Sequence, residues 1–170
     1  GHHRVFEEPA PEFPIAHPRH LALEVPRVVV HVHEQRVEER HHQHARQQEE
    51  LHTAWQVLLD LGFLWAGRDY QQAGEYYRQA HQLAQALADP ADLAHTLNRI
   101  GNWHLNLDHP VQALTYHRQA LEIFEQSGNL PGVAETLDLL GMAYSLSGDM
   151  LTGADHYHRA IALFRQFNNQ

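Results

Sequence analysis

Along the last two-thirds of the chain, apolar and small residues recur every three or four positions, the rhythm of helices that each bury one face. Leu97, Ile100, Gly101 and His104 share one such face, and Ala113, His117, Ala120 and Phe124 share another. Polar punctuation bounds these runs. Asp89-Pro90-Ala91-Asp92 supplies an N-cap, a proline at the first helical position and a first-turn acid. His109-Pro110 and Gly148-Asp149 mark tight turns, and Ser127-Gly128-Asn129-Leu130-Pro131 marks a longer break. The pattern predicts helices near 51–66, 70–88, 91–106, 110–127, 132–146 and 150–167.

The runs also repeat. Shifted by 40 residues, Ala73, Ala113 and Gly153 coincide, as do Tyr77, His117 and Tyr157, then Ala80, Ala120 and Ala160. Upstream lies a second matching set: Leu61, Ile100 and Leu140, then Gly62, Gly101 and Gly141, then Trp65, His104 and Tyr144. The first of these copies is offset by 39, so one residue fewer joins its two helices. Small residues at fixed places let antiparallel helices approach to the ~8–10 Å of close packing, and the bulky residue between them fills the gap. The expectation is an all-α solenoid of about three helical hairpins.

Those residues resemble the tetratricopeptide repeat in a 40-residue form. Its leucine-glycine pair with a downstream aromatic appears as Leu61-Gly62…Trp65, Ile100-Gly101…His104 and Leu140-Gly141…Tyr144. Its small–aromatic–small pattern appears as Ala73…Tyr77…Ala80, Ala113…His117…Ala120 and Gly153…Tyr157…Ala160. The resemblance implies a right-handed solenoid over residues 51–167, divided as 51–90, 91–130 and 131–167. His104 and His117 depart from it by standing in aromatic places. Ahead of the repeats, residues 1–33 read as an extended proline- and valine-rich leader, in which Val28–His33 favours a strand or starts a helix at Pro26. Residues 34–50 read as a solvated polar helix that runs on into the first repeat.

Composition narrows the chemistry. The 170 residues hold no cysteine and no lysine, and a net charge of −9 with the 17 histidines neutral. Thiolate zinc sites, cysteine nucleophiles, a phosphate-loop lysine and Schiff-base chemistry are thereby excluded. An acidic surface repels a phosphate backbone, so nucleic acid is not the expected partner. No apolar run reaches the ~20 residues that cross a bilayer, and a soluble, cytoplasmic protein is expected. His31, His33, His41 and His44 are the nearest approach to metal spacing, but no set of three or four converging ligands accompanies them. Neither an enzyme nor a cofactor-binding protein is expected; a metal-dependent enzyme is the remote alternative.

The ligand-facing set that the resemblance implies lies on the concave side. In the second repeat His95, Asn98, Asn102 and Asn106 form a polar stripe, with Arg99 beside it. In the third, Glu135, Asp138 and Met142 take the corresponding places. Asparagine both donates and accepts, which suits the two polar groups of a peptide backbone. Arg99 alone among acids makes a groove unsuited to a C-terminal acidic peptide. Replacing Asn98 and Asn102 by alanine is expected to weaken partner binding without a change in stability.

These readings point to a protein- or peptide-interaction module, acting as scaffold or sensor. Such 40-residue repeats occur as sensor regions of bacterial signal-transduction ATPases of the STAND type and of transcriptional activators. A fragment of a larger signalling protein of that kind is what the resemblance implies, with a small-molecule sensor as the alternative. Expected partners are a protein or extended peptide, the chain's own N-terminal segment through Phe6, Phe13 and Ile15, or a second copy. The apolar end of the last helix, Leu163, Phe164 and Phe167, suggests an array that continues or is covered by another chain.

Overall fold

The computed structural model describes residues 27–168, with side chains over 36–167. The chain divides into two compact units, Gly1–Arg40 and His41–Gln170. Every described element is a helix: α1 (Arg27–Ala66), α2 (Tyr70–Leu87), α3 (Pro90–Asn106), α4 (Pro110–Ser127), α5 (Leu130–Leu146) and α6 (Met150–Asn168). Five of the six lie within about two residues of their expected places. The exception is α1, which begins at Arg27 and so takes over residues 27–33, assigned above to an extended leader. The weak helix propensity of Val28-Val29-Val30 is spread over a long helix. Residues 1–26, including Phe6, Phe13 and Ile15, lie outside the described residues, as do the side chains of His31 and His33.

The described part of the first unit is the beginning of α1, where Arg40 Nε donates to the Arg36 carbonyl (3.2 Å). The second unit is the repeat array. Asp69, Asp89 and Asn129 cap α2, α3 and α5 by accepting from backbone N–H groups one turn on. Helices α3 and α4 pack as one pair and α5 and α6 as another, with α2 against α3 and α4 against α5 joining successive repeats. The spacing of small residues pays off in three interlocks. A Cβ at Gly62 would fall 2.5 Å from the Tyr77 ring, at Gly101 2.4 Å from His117, and at Gly141 2.7 Å from Tyr157. Each glycine is thus the flat against which the next helix lays a ring.

Between repeats, the core adds a polar link that recurs with different donors. Thr96 and Thr136, 40 residues apart, are both fully buried, and each donates its hydroxyl to the carbonyl one turn back (Asp92 and Gly132, 2.7 Å each). Each also accepts from the preceding repeat: Thr96 from Trp55 Nε1 (2.7 Å), Thr136 from Asn98 Nδ2 (2.8 Å). With its amide nitrogen so engaged, Asn98 presents Oδ1 to His117 Nδ1 at 3.1 Å. His117 therefore carries its proton on Nδ1, and its buried Nε2 has no protein partner. Burial pushes this imidazole down to about 4.

Two further histidines occupy the aromatic places of the repeat. His104 stacks on Tyr116 with centroids 5.2 Å apart, and Tyr144 stacks on His156 at 5.1 Å. These are the same two positions 40 residues apart, with histidine and tyrosine exchanged. Burial lowers the pKa of both imidazoles; His109 adds to the effect at His104, and Arg159 at His156. The His41–His44 segment is exposed. Among the described residues, no group of three or more His, Asp or Glu is placed to hold a metal ion. No described helix is long and apolar enough to cross a membrane.

Candidate functional site

The first helices of the pairs, α1, α3 and α5, line a groove of about 670 Å³. One wall is apolar. Phe63 and Leu64 on α1 are 70% and 54% exposed, and Met142 on α5 lies across from them. Tyr70, Tyr77 and Trp103 extend this surface. Trp103 is held by its indole N–H, which donates to the Tyr70 carbonyl (3.1 Å), and by Gly74, whose missing Cβ leaves room for the ring. A smaller recess of about 220 Å³ adjoins, with Trp55 and Leu59 beside Gln56, His95, Asn98, Arg99, Asn102 and Glu135.

Arg99 and Asn102 belong to both recesses and so stand at their junction. Arg99 is exposed and, among the described residues, has no carboxylate within ion-pairing distance. Its charge is felt by Tyr77, whose hydroxyl burial drives up in pKa and Arg99 partly draws back. Asn102 is half-buried, and its Oδ1 has no protein partner. A buried acceptor without a donor is costly, and with its oxygen closed to solvent Asn102 meets a ligand only when its side chain turns.

Of the stripe read from the sequence, the structure brings His95, Asn98, Arg99, Asn102, Asn106, Glu135 and Met142 to the walls of these recesses. His95 is half-buried, with its ring edge-on to Phe124 at 5.0 Å, so part of it already serves the core. Asp138 is exposed and stands outside both sets of lining residues. Asn98 lines the smaller recess, but as a buried residue. It is 2% exposed, and both ends of its amide are taken up by Thr136 and His117. Helical spacing alone places it on the same face as Asn102, but α5 covers that end of the stripe. Its loss would remove core hydrogen bonds, so a fall in stability is the outcome now expected of Asn98→Ala.

The sequence reading missed Phe63, Leu64, Tyr70, Trp103 and Gln56. A signal existed for two of them. Phe63-Leu64 follows the core residues Leu61-Gly62 and precedes Trp65, so two large apolar side chains had no place left on the buried face.

Comparison with known proteins bears on the fold. The tetratricopeptide repeat pattern matches the chain twice, over residues 62–126 and 92–166. No curated protein sequence matches. Among solved structures, the chain is similar to the TPR domain of Arabidopsis FLU, with a TM-score of 0.62, 20% identity, and 68% of this chain and 98% of that one covered. It is equally similar to BtubC (BKLC) from P. vanneervenii (TM-score 0.62, 21% identity, 68% of this chain), of which it spans 48%. A third is the N-terminal domain of stress-induced protein-1 (STI-1) from C. elegans, with a TM-score of 0.55, 19% identity, and 68% and 87% coverage.

Proposed function

The chain belongs to the tetratricopeptide repeat family, and from that premise we propose that it is a protein-interaction module whose groove takes an extended segment of a partner protein. The supporting observation is the junction of Arg99 and Asn102 between an apolar recess and a polar one. An extended peptide alternates its side chains and exposes its backbone N–H and C=O groups. Arg99 offers donors to a C=O, Asn102 meets an N–H by turning its buried, unpartnered oxygen outward, and Phe63, Leu64 and Met142 receive an apolar side chain. Glu135, Asp138 and the overall charge of −9 disfavour a strongly acidic segment. Regulation of an effector elsewhere in a larger signalling protein is the finer role we assign to this groove.

The test uses partners captured from a native lysate by the chain. Phe63→Ala with Leu64→Ala, and separately Asn102→Ala, should each reduce capture of the same partner at least tenfold. Asn102→Ala and the α1 pair replace exposed or half-buried groups, so melting should stay within about 0.5 kcal/mol of wild type. Capture that is indifferent to both variants places the partner elsewhere. A small-molecule sensor, the alternative, requires instead that a low-molecular-weight fraction of the lysate raises the melting temperature.

A further inference from the structure

Arg78 and Arg118 hold the same place on α2 and α4, 40 residues apart, yet only the first is neutralised. Arg78 donates from Nε and Nη2 to the Glu75 carboxylate three residues back (3.1 and 2.5 Å). The counterpart of Glu75 is Thr115, whose hydroxyl turns to the Val111 carbonyl (3.3 Å). Arg118 crosses instead to α5, where Nη2 donates to the Tyr144 hydroxyl and the guanidinium lies 5.5 Å from the centre of that ring. Hydroxyl and ring hold the group in place without cancelling its charge. Tyr144 in turn stacks on His156 of α6, and Arg159 stands one turn further along that helix. Three helices thus gather two guanidinium groups, a phenol and an imidazole.

Among the described residues, no carboxylate lies within ion-pairing distance of Arg118 or Arg159. Glu122, one turn beyond Arg118, accepts instead from Gln126 Nε2 (3.1 Å). Burial first and Arg159 next lower the pKa of His156; Asp155 draws it back in part, and Arg118 lowers it again. The ring therefore stands among more positive charge than negative. We propose that Arg118, His156 and Arg159 bind a phosphate group. Two guanidinium groups, and an imidazole that charges when an anion arrives, match the roughly two negative charges and three oxygens of a phosphate monoester. A carboxylate brings one charge and is satisfied by one arginine. Nδ1 of His156 is buried without a partner, so Nε2 is the ring nitrogen that meets the ligand. A nucleic acid or an anionic membrane brings many charges, which a chain of net charge −9 repels, whereas a single phosphate meets only the local cluster.

NMR titration of the 170-residue chain with inorganic phosphate, at pH 7 and fixed ionic strength, tests this. The ring signals of His156 should shift saturably, with half-saturation on the order of millimolar for such exposed donors. The pH at which His156 protonates should rise in phosphate, because a bound anion favours the charged ring. Arg118→Gln and Arg159→Gln should each weaken binding about tenfold, and acetate should bind the wild-type chain about tenfold more weakly than phosphate. Arg78→Gln should change nothing, and melting of all three variants shows that the fold survives. Shifts that follow ionic strength alone, acetate binding as tight as phosphate, or an equal loss in Arg78→Gln would each overturn the proposal. A blocked Gly-phosphoserine-Gly peptide separates the sources of the group. Tighter binding than inorganic phosphate assigns the site to a phosphorylated side chain of a partner; equal or weaker binding assigns it to free phosphate. Both results are independent of the groove, since none of these residues lines it.

Discussion

The second and third repeats share one template and fill it with different chemistry. Where the second lays a histidine against its glycine (His117 on Gly101), the third lays a tyrosine (Tyr157 on Gly141). Where the second stacks His104 on Tyr116, the third stacks Tyr144 on His156. The second hides Phe124 completely and the third leaves Phe164 at 42% exposure. The template therefore prescribes the size and flatness of a residue, while its polarity is settled by neighbours. A ring against glycine satisfies packing whether or not it holds nitrogen. A ring nitrogen then needs a partner, which Asn98 supplies on one side of His117 and no described residue supplies on the other.

Truncating the two phenylalanines gives the sharpest contrast. Phe124→Ala removes a wholly buried ring and should cost about 4 kcal/mol. Phe164→Ala in dilute solution should cost less than about 1 kcal/mol, since much of its ring already meets water. Chemical denaturation of the two variants measures the difference, and equal losses would break the distinction between the covered and the bare face.

Acid should separate the repeats next. The folded-state pKa of His117 lies near 4, below the ~6.5 of an unfolded histidine. The folded state therefore holds this site neutral while the unfolded chain takes up a proton. Its stability is fully present above about pH 6.5 and is lost as the pH falls from there toward 4, by up to about 3 kcal/mol. The lowered His104 and His156 add slope of the same sign. Melting temperature should drop between pH 7 and 5, and His117→Tyr, which installs the ring of the flanking repeats, should make that drop shallower. A flat profile in the wild-type chain would show that the buried imidazole finds a way to charge.

The smallest effect concerns the turn between paired helices. Asp108 and Gly148 occupy the same place in successive repeats and both adopt positive φ, 59° and 93°. Glycine takes that conformation freely, whereas aspartate tolerates it at some cost. Asp108→Gly should therefore stabilise the chain by about 0.5 kcal/mol, visible as a small rise in melting temperature.

Much of this architecture was legible because repetition multiplies weak signals. One glycine in a helix says little, but Gly62, Gly101 and Gly141 at matching places identify the close approaches from the sequence alone. The groove was less legible. Asn98 and Asn102 are one turn apart on α3, and only the path of α5 over that helix decides which amide meets solvent. That path depends on a crossing angle that a single helix does not encode. Thr96 and Thr136 carried a usable hint, since two threonines at one repeat position inside apolar runs need hydrogen-bond partners. The extent of α1 was legible in part: residues 34–50 read as a polar helix running into the first repeat, while the β-branched turns before them, without an apolar stripe, left strand and helix both open.

Those two threonines also guard against a hazard peculiar to near-identical units. Modules that look alike can dock in the wrong order or one turn out of step during folding, or trade places with those of a neighbouring molecule. At one junction the threonine receives an indole N–H from Trp55, and at the next an amide N–H from Asn98, set at a different level on its helix. A mis-stacked pair would bury a hydroxyl and a donor without their mates, at a penalty of about 1–3 kcal/mol per orphaned group. Each junction is thus keyed to its own neighbour, and the order of the stack is written in its polar minority.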